Sequence, residues 1–152
     1  MSDDFGALRI ERDGEGWRYA IDVSGAPGFA LFVVEGAPSQ LMVERAAADL
    51  PELMDRVVGP DMPFSPVVVD VRKLGMAKMG ATTFQWASSR ALGRVSRVVI
   101  VFDPDLLTRR AYAGFMRIAS VVLPNIEVAY SCTEAFERLG LDAPPGCKDG
   151  EG

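Results

Sequence analysis

The chain reads as one α/β domain, built on a mixed β-sheet with N-terminal antiparallel strands and a C-terminal β-α-β-α-β-α order. Three observations carry that reading. The first third alternates apolar and polar residues with a period of two. The segment after it repeats apolar residues at helical spacing. The second half holds three short runs that are apolar on both faces, with helical patterns between them.

At 152 residues, 49% hydrophobic and 24% charged, the composition is that of an ordinary globular domain. No linker or low-complexity stretch divides it, so residues 1–142 are expected to form one domain. The Pro/Gly-rich, charged segment 143–152 is expected to be a flexible tail. The longest apolar run, Phe29 to Val34, reaches only six residues, and the N-terminus is acidic without an apolar h-region. Neither a membrane span nor a signal peptide is expected, which places the chain in the cytoplasm.

Each element has its own signal. Ala7 to Glu11 alternates weakly, Asp13 to Gly16 is a turn cluster, and Trp17, Tyr19, Ile21 and Val23 share one face opposite Arg18, Ala20 and Asp22. This predicts a hairpin. Phe29 to Glu35, ending at Gly36, adds a third strand to an antiparallel meander. Leu50, Leu53, Met54, Val57 and Val58 then stand on one helical face. Asp49 with Pro51 resembles a helix start, and Gly59-Pro60 a stop. Gln40 to Ala48 is an earlier helical stretch, joined to this one or separate from it.

Val67 to Val71, Val98 to Phe102 and Ile126 to Tyr130 predict strands covered on both sides, as in parallel sheets. Ala81 to Leu92 has a helical pattern. Asp103-Pro104 supplies an N-cap and first-turn proline for another, with Leu107, Ala111, Phe115, Ile118 and Val122 inward. Ser131 to Glu134 has capping-box spacing for a last helix that ends near Gly140. A sheet of about five to six strands with four helices follows, its last three strands parallel.

Composition also excludes chemistry. The chain has no histidine, which removes Ser-His-Asp and Cys-His catalysis and most zinc sites. A net charge of −5 disfavours nucleic acid. Cys132 beside a helix start and Cys147 in the tail suggest neither a disulfide framework nor a zinc knuckle.

Gly75 to Thr82 lies between a strand and a helix as a phosphate loop does, but Ala81 stands where that loop needs its lysine. The string VIVFDPDLLT lacks the residue a phosphatase signature needs two places after its second aspartate. Asp70 and Asp103 sit at or near the ends of presumed parallel strands, where open sheets collect ligands. A carboxylate pair there would share a proton or hold a cation. Helix capping by Asp103 and backbone hydrogen bonding by Asp70 account for the same residues without chemistry.

Several strings together resemble the STAS domain, and within it the branch similar to stage II sporulation protein AA, of the bacterial anti-sigma-factor antagonists. They are LFVVEG ending at Gly36, VVVDVRKLG around Asp70, RVVIVFD, and IEVAYSCTEAFERLG. The resemblance covers roughly Ala30 to Leu141. It implies a non-enzymatic regulatory module that binds a protein partner or a second copy of itself.

The antagonists carry a phosphorylated serine at the helix start after the Asp70-type strand. The matching positions here are Lys78, Met79, Gly80 and Ala81, none with a hydroxyl, so the phospho-switch is not expected. The expected partner-binding residues are Asp70, Lys78, Met79, Gly80 and Asp103, with no cofactor, no metal, no nucleic acid and no membrane insertion. The alternative is a small-molecule or lipid-like ligand-binding protein, or a carboxylate-based enzyme using Asp70 and Asp103.

Overall fold

A computed structural model describes residues 9–23, 29–36, 39–59, 66–74, 95, 97–101, 126–144 and 147. They form six strands and two helices. In chain order these are β1 (Arg9–Gly14), β2 (Trp17–Asp22), β3 (Ala30–Gly36), α1 (Gln40–Val58), β4 (Val67–Leu74), β5 (Val98–Val101), β6 (Ile126–Ala129) and α2 (Cys132–Arg138). The helices expected over 81–92 and after Asp103-Pro104 lie outside the described residues. No helix among the described residues is long and apolar enough to cross a membrane.

The six strands make one mixed sheet whose spatial order is the order of the chain, β1 to β6. The β1–β2 and β2–β3 pairs are antiparallel, and β3–β4, β4–β5 and β5–β6 are parallel. The meander and the parallel second half are therefore as expected, and β3 joins the parallel set as a fourth member.

The meander begins with a tight turn at Glu15-Gly16, where Gly16 takes a φ of 82°. Gly36 ends β3 at a φ of 95° directly opposite Trp17. A side chain at Gly36 would run into the Gly16 carbonyl oxygen and the Trp17 backbone. Only glycine tolerates both the conformation and the approach.

Alternation along each strand divides the apolar residues between two faces. One face carries Trp17, Tyr19, Ile21 and Val23 of β2, Ala30 and Val34 of β3, Val67, Val69 and Val71 of β4, and Val98 and Ile100 of β5. Helix α1 covers it with Met42, Val43, Ala46, Leu50, Leu53 and Met54, so the apolar stripe read from the sequence is the packed one. On the other face Leu31, Val68, Val99, Val101 and Ala129 pack beneath Ala135 and Phe136 of α2, and Phe29 meets Phe136 edge-on with ring centroids 5.0 Å apart.

The stretches Gln40–Ala48 and Leu50–Val58 are one helix. Its N-cap is Ser39, whose hydroxyl accepts from the Met42 N–H at 3.1 Å. Asp49 and Pro51 are therefore interior residues and not a helix start, because the apolar face continues unbroken through them. Helix α2 has the expected cap. Ser131 Oγ accepts from the Glu134 N–H at 3.0 Å, and the Glu134 carboxylate returns to the Tyr130 N–H at 3.0 Å. After α2, Gly140 at a φ of 72° lets the Leu141 N–H reach the Phe136 carbonyl at 2.9 Å.

Candidate functional site

The site grows from the period of strand β4. Val68, Asp70 and Arg72 are two residues apart and share the face covered by α2, while Val67, Val69 and Val71 point into the core under α1. Asp70 is only 7% exposed, on a strand whose neighbours are valines. A carboxylate so placed needs partners. It has them in Arg72: Oδ1 accepts from the Arg72 N–H at 3.1 Å and from Nε at 2.9 Å, and Oδ2 accepts from a terminal guanidinium nitrogen at 2.9 Å. Charge-assisted two-point pairing of this kind neutralises the aspartate in place.

The same guanidinium nitrogen lies 3.1 Å from Cys132 Sγ at the start of α2, and that sulfur stands 4.0 Å from Asp70 Oδ2. Cys132 is bonded to Cys147, with Cα atoms 5.6 Å apart. This corrects the expectation that the two cysteines form no bridge. Their spacing matches no framework, but the sheet and α2 carry Cys132 to the place where the chain returns after Leu141. Cys147, within the segment expected to be a tail, is 1% exposed and belongs to the second core. A carboxylate oxygen and two sulfurs thus meet within 4.8 Å of one another, all from buried residues. Joined to each other, the sulfurs have no thiolate to give a metal, and the cation beside them is already Arg72.

Of the expected site residues, Asp70 is placed beside Arg72 and the cysteines. Lys78, Met79, Gly80 and Asp103 lie outside the described residues. The sequence reading missed both cysteines as neighbours of Asp70, and offered Arg72 only as one of three cations, with Lys73 and Lys78, for a site built on Asp70 and Asp103. The i, i+2 spacing of Asp70 and Arg72 on a strand was a usable signal, since it puts both on one face. Nothing in the spacing of Cys132 and Cys147 indicated where they would meet.

Two other polar clusters are internally satisfied. On the α1 face, buried Asp49 accepts from Arg12 Nε at 2.7 Å and from the Tyr19 hydroxyl at 2.6 Å. Burial would raise the Asp49 pKa, but the Arg12 and Tyr19 hydrogen bonds outweigh it and hold the carboxyl below its ordinary range. Burial, then the bond to Asp49, pushes the Tyr19 phenol far above its ordinary range. Over β1 to β3 on the opposite face, a 240 Å³ recess is edged by Arg9, Glu11, Arg18, Asp22 and Glu35. Its charges pair among themselves: Arg9 with Glu11 and Asp22, and Arg18 with Glu35.

No family model matches this chain, and neither does a curated protein or a solved structure.

Proposed function

We propose that the chain is a non-enzymatic, STAS-like regulatory module that binds a protein partner or a second copy of itself. Of the expected partner-binding residues, Lys78, Met79, Gly80 and Asp103 would make the contact, and Asp70, with both oxygens paired to Arg72, would support it from within. The observation that most supports this over a carboxylate enzyme is the state of Asp70. Its two oxygens are taken up by Arg72, and it is buried. A general base or cation ligand needs a free lone pair facing a substrate. Strand order argues the same way. Open α/β sheets bind small ligands where the order of parallel strands reverses, and here it runs from β1 to β6 without a reversal.

The test compares three proteins: the native chain, Met79→Glu and Asp70→Asn, each shown to be folded by circular dichroism. Each is measured for self-association by sedimentation velocity and for retained partners by affinity capture. The module reading expects an association that Met79→Glu abolishes and Asp70→Asn leaves within about threefold. Turnover of a phosphate ester or another small substrate, lost in Asp70→Asn, would replace this reading with the enzyme one. The resemblance carries a further expectation: a sigma-regulatory kinase with ATP leaves the intact mass unchanged at residues 78–83.

A further inference from the structure

The contact between Arg72 and Cys132 at 3.1 Å is worth more to a thiolate than to a structural bridge. A neutral disulfide sulfur in an apolar core gains little from a guanidinium at 3.1 Å, whereas a thiolate at that place gains an ion pair. The cation is held there independently of the sulfur, because Asp70 fixes it at two points. Both sulfurs are buried among Val68, Val99, Val101, Ala129 and Phe136, so bulk water does little to stabilise a charge on either. The Cys147 N–H donates to the Pro144 carbonyl at 3.0 Å. Cys147 is 1% exposed, so a reductant reaches its sulfur through local opening.

We infer that Cys132 and Cys147 are a reversible redox pair, cleaved by a dithiol reductant, whose reduced form is a Cys132 thiolate held by Arg72. One thiolate of the reductant attacks Cys147 Sγ. The Cys132–Cys147 bond breaks and its electron pair leaves on Cys132, beside the guanidinium. The second thiol of the reductant then attacks its own sulfur in the mixed disulfide and releases Cys147, which takes up a proton. The protein gains two electrons, and the reductant leaves as a cyclic disulfide. A sulfur that leaves as a stabilised thiolate leaves faster, which assigns attack to Cys147 and departure to Cys132. Asp70, 4.0 Å from the same sulfur, opposes the thiolate and so limits how far reduction is favoured. Reduction unties Cys147 from α2, which Phe136 continues to anchor in the core.

The experiment equilibrates the full chain in mixtures of reduced and oxidised dithiothreitol, traps thiols with N-ethylmaleimide, and reads intact mass. One reversible step between zero and two labels, at monomer mass, is expected. Arg72→Gln should shift the exchange constant about tenfold toward the disulfide, equivalent to about 30 mV for a two-electron couple. Asp70→Asn should shift it in the opposite direction. Should Arg72→Gln not fold, Arg72→Lys, which keeps a charge but gives up the two-point hold of Asp70, should shift the constant in the same direction by less. The proposal fails if the chain carries two labels even after exposure to glutathione disulfide, or if folded variants leave the constant unchanged. It also fails if the reduced chain incubated with zinc retains one ion by native mass measurement, since Asp70, Cys132 and Cys147 would then be metal ligands. These outcomes are independent of whether Met79→Glu alters association.

Discussion

Asp49 shows how one side chain joins two layers. It reaches from α1 to Arg12 on β1 and Tyr19 on β2, and so fixes the helix over the antiparallel end of the sheet. Its carboxyl titrates below its unfolded value, so the network's stabilisation is complete above about pH 4. It is lost as acid carries the pH down through the lower folded value. Asp49→Asn should cost about 1–3 kcal/mol at pH 7, the lower part of that span reflecting the partial exposure of Arg12. The difference in urea midpoint between variant and native chain should shrink as the pH falls below about 4. None of this was legible beforehand. Asp49 beside Pro51 has the composition of a helix start, and only the register of β1 against β2, which sets Arg12 opposite Tyr19, brings the three groups together. Asp70 was legible as a buried strand aspartate, whereas its pairing with Arg72 awaited knowledge of which face α2 covers.

Helix α1 runs through Pro51, which lacks an N–H and crowds the carbonyl four residues before it. Pro51→Ala should restore that hydrogen bond and raise stability by about 1–2 kcal/mol, read from the urea midpoint. At the other end of the sheet connection, Gly36→Ala should cost more than 2 kcal/mol, since its φ is positive and its neighbours are backbone atoms. Elements were the most readable scale in the sequence, because periodicity is a local property. The hairpin, β5 and the capping box of α2 stand where their patterns place them. β4 runs three residues past Val71, through Arg72 and Lys73 to Leu74. Polar residues there look like a loop until Asp70 and β3, which pairs with β4 as far as Leu74, supply their partners.

Across the molecule, the Cys132–Cys147 bridge closes a short loop, with 15 residues of separation. Such a loop contributes about 3 kcal/mol by restricting the unfolded chain. Cys147→Ser should lower stability by about 2–4 kcal/mol under oxidising conditions, and by much less when both proteins are measured in reductant. The strand order has a different consequence. Each strand after β1 hydrogen-bonds to the strand that precedes it in the sequence. As the chain emerges from a ribosome, every new strand finds its template already made, so the sheet can be laid down from one edge to the other as synthesis proceeds. At each stage the exposed edge is the one the next strand will cover. Among the described residues the outer strands are β1, dressed with Arg9, Glu11, Arg12 and Asp13, and the four-residue β6, which keeps that edge short. Cys147 follows all six described strands in the chain, so its bridge can close on a sheet that is already built.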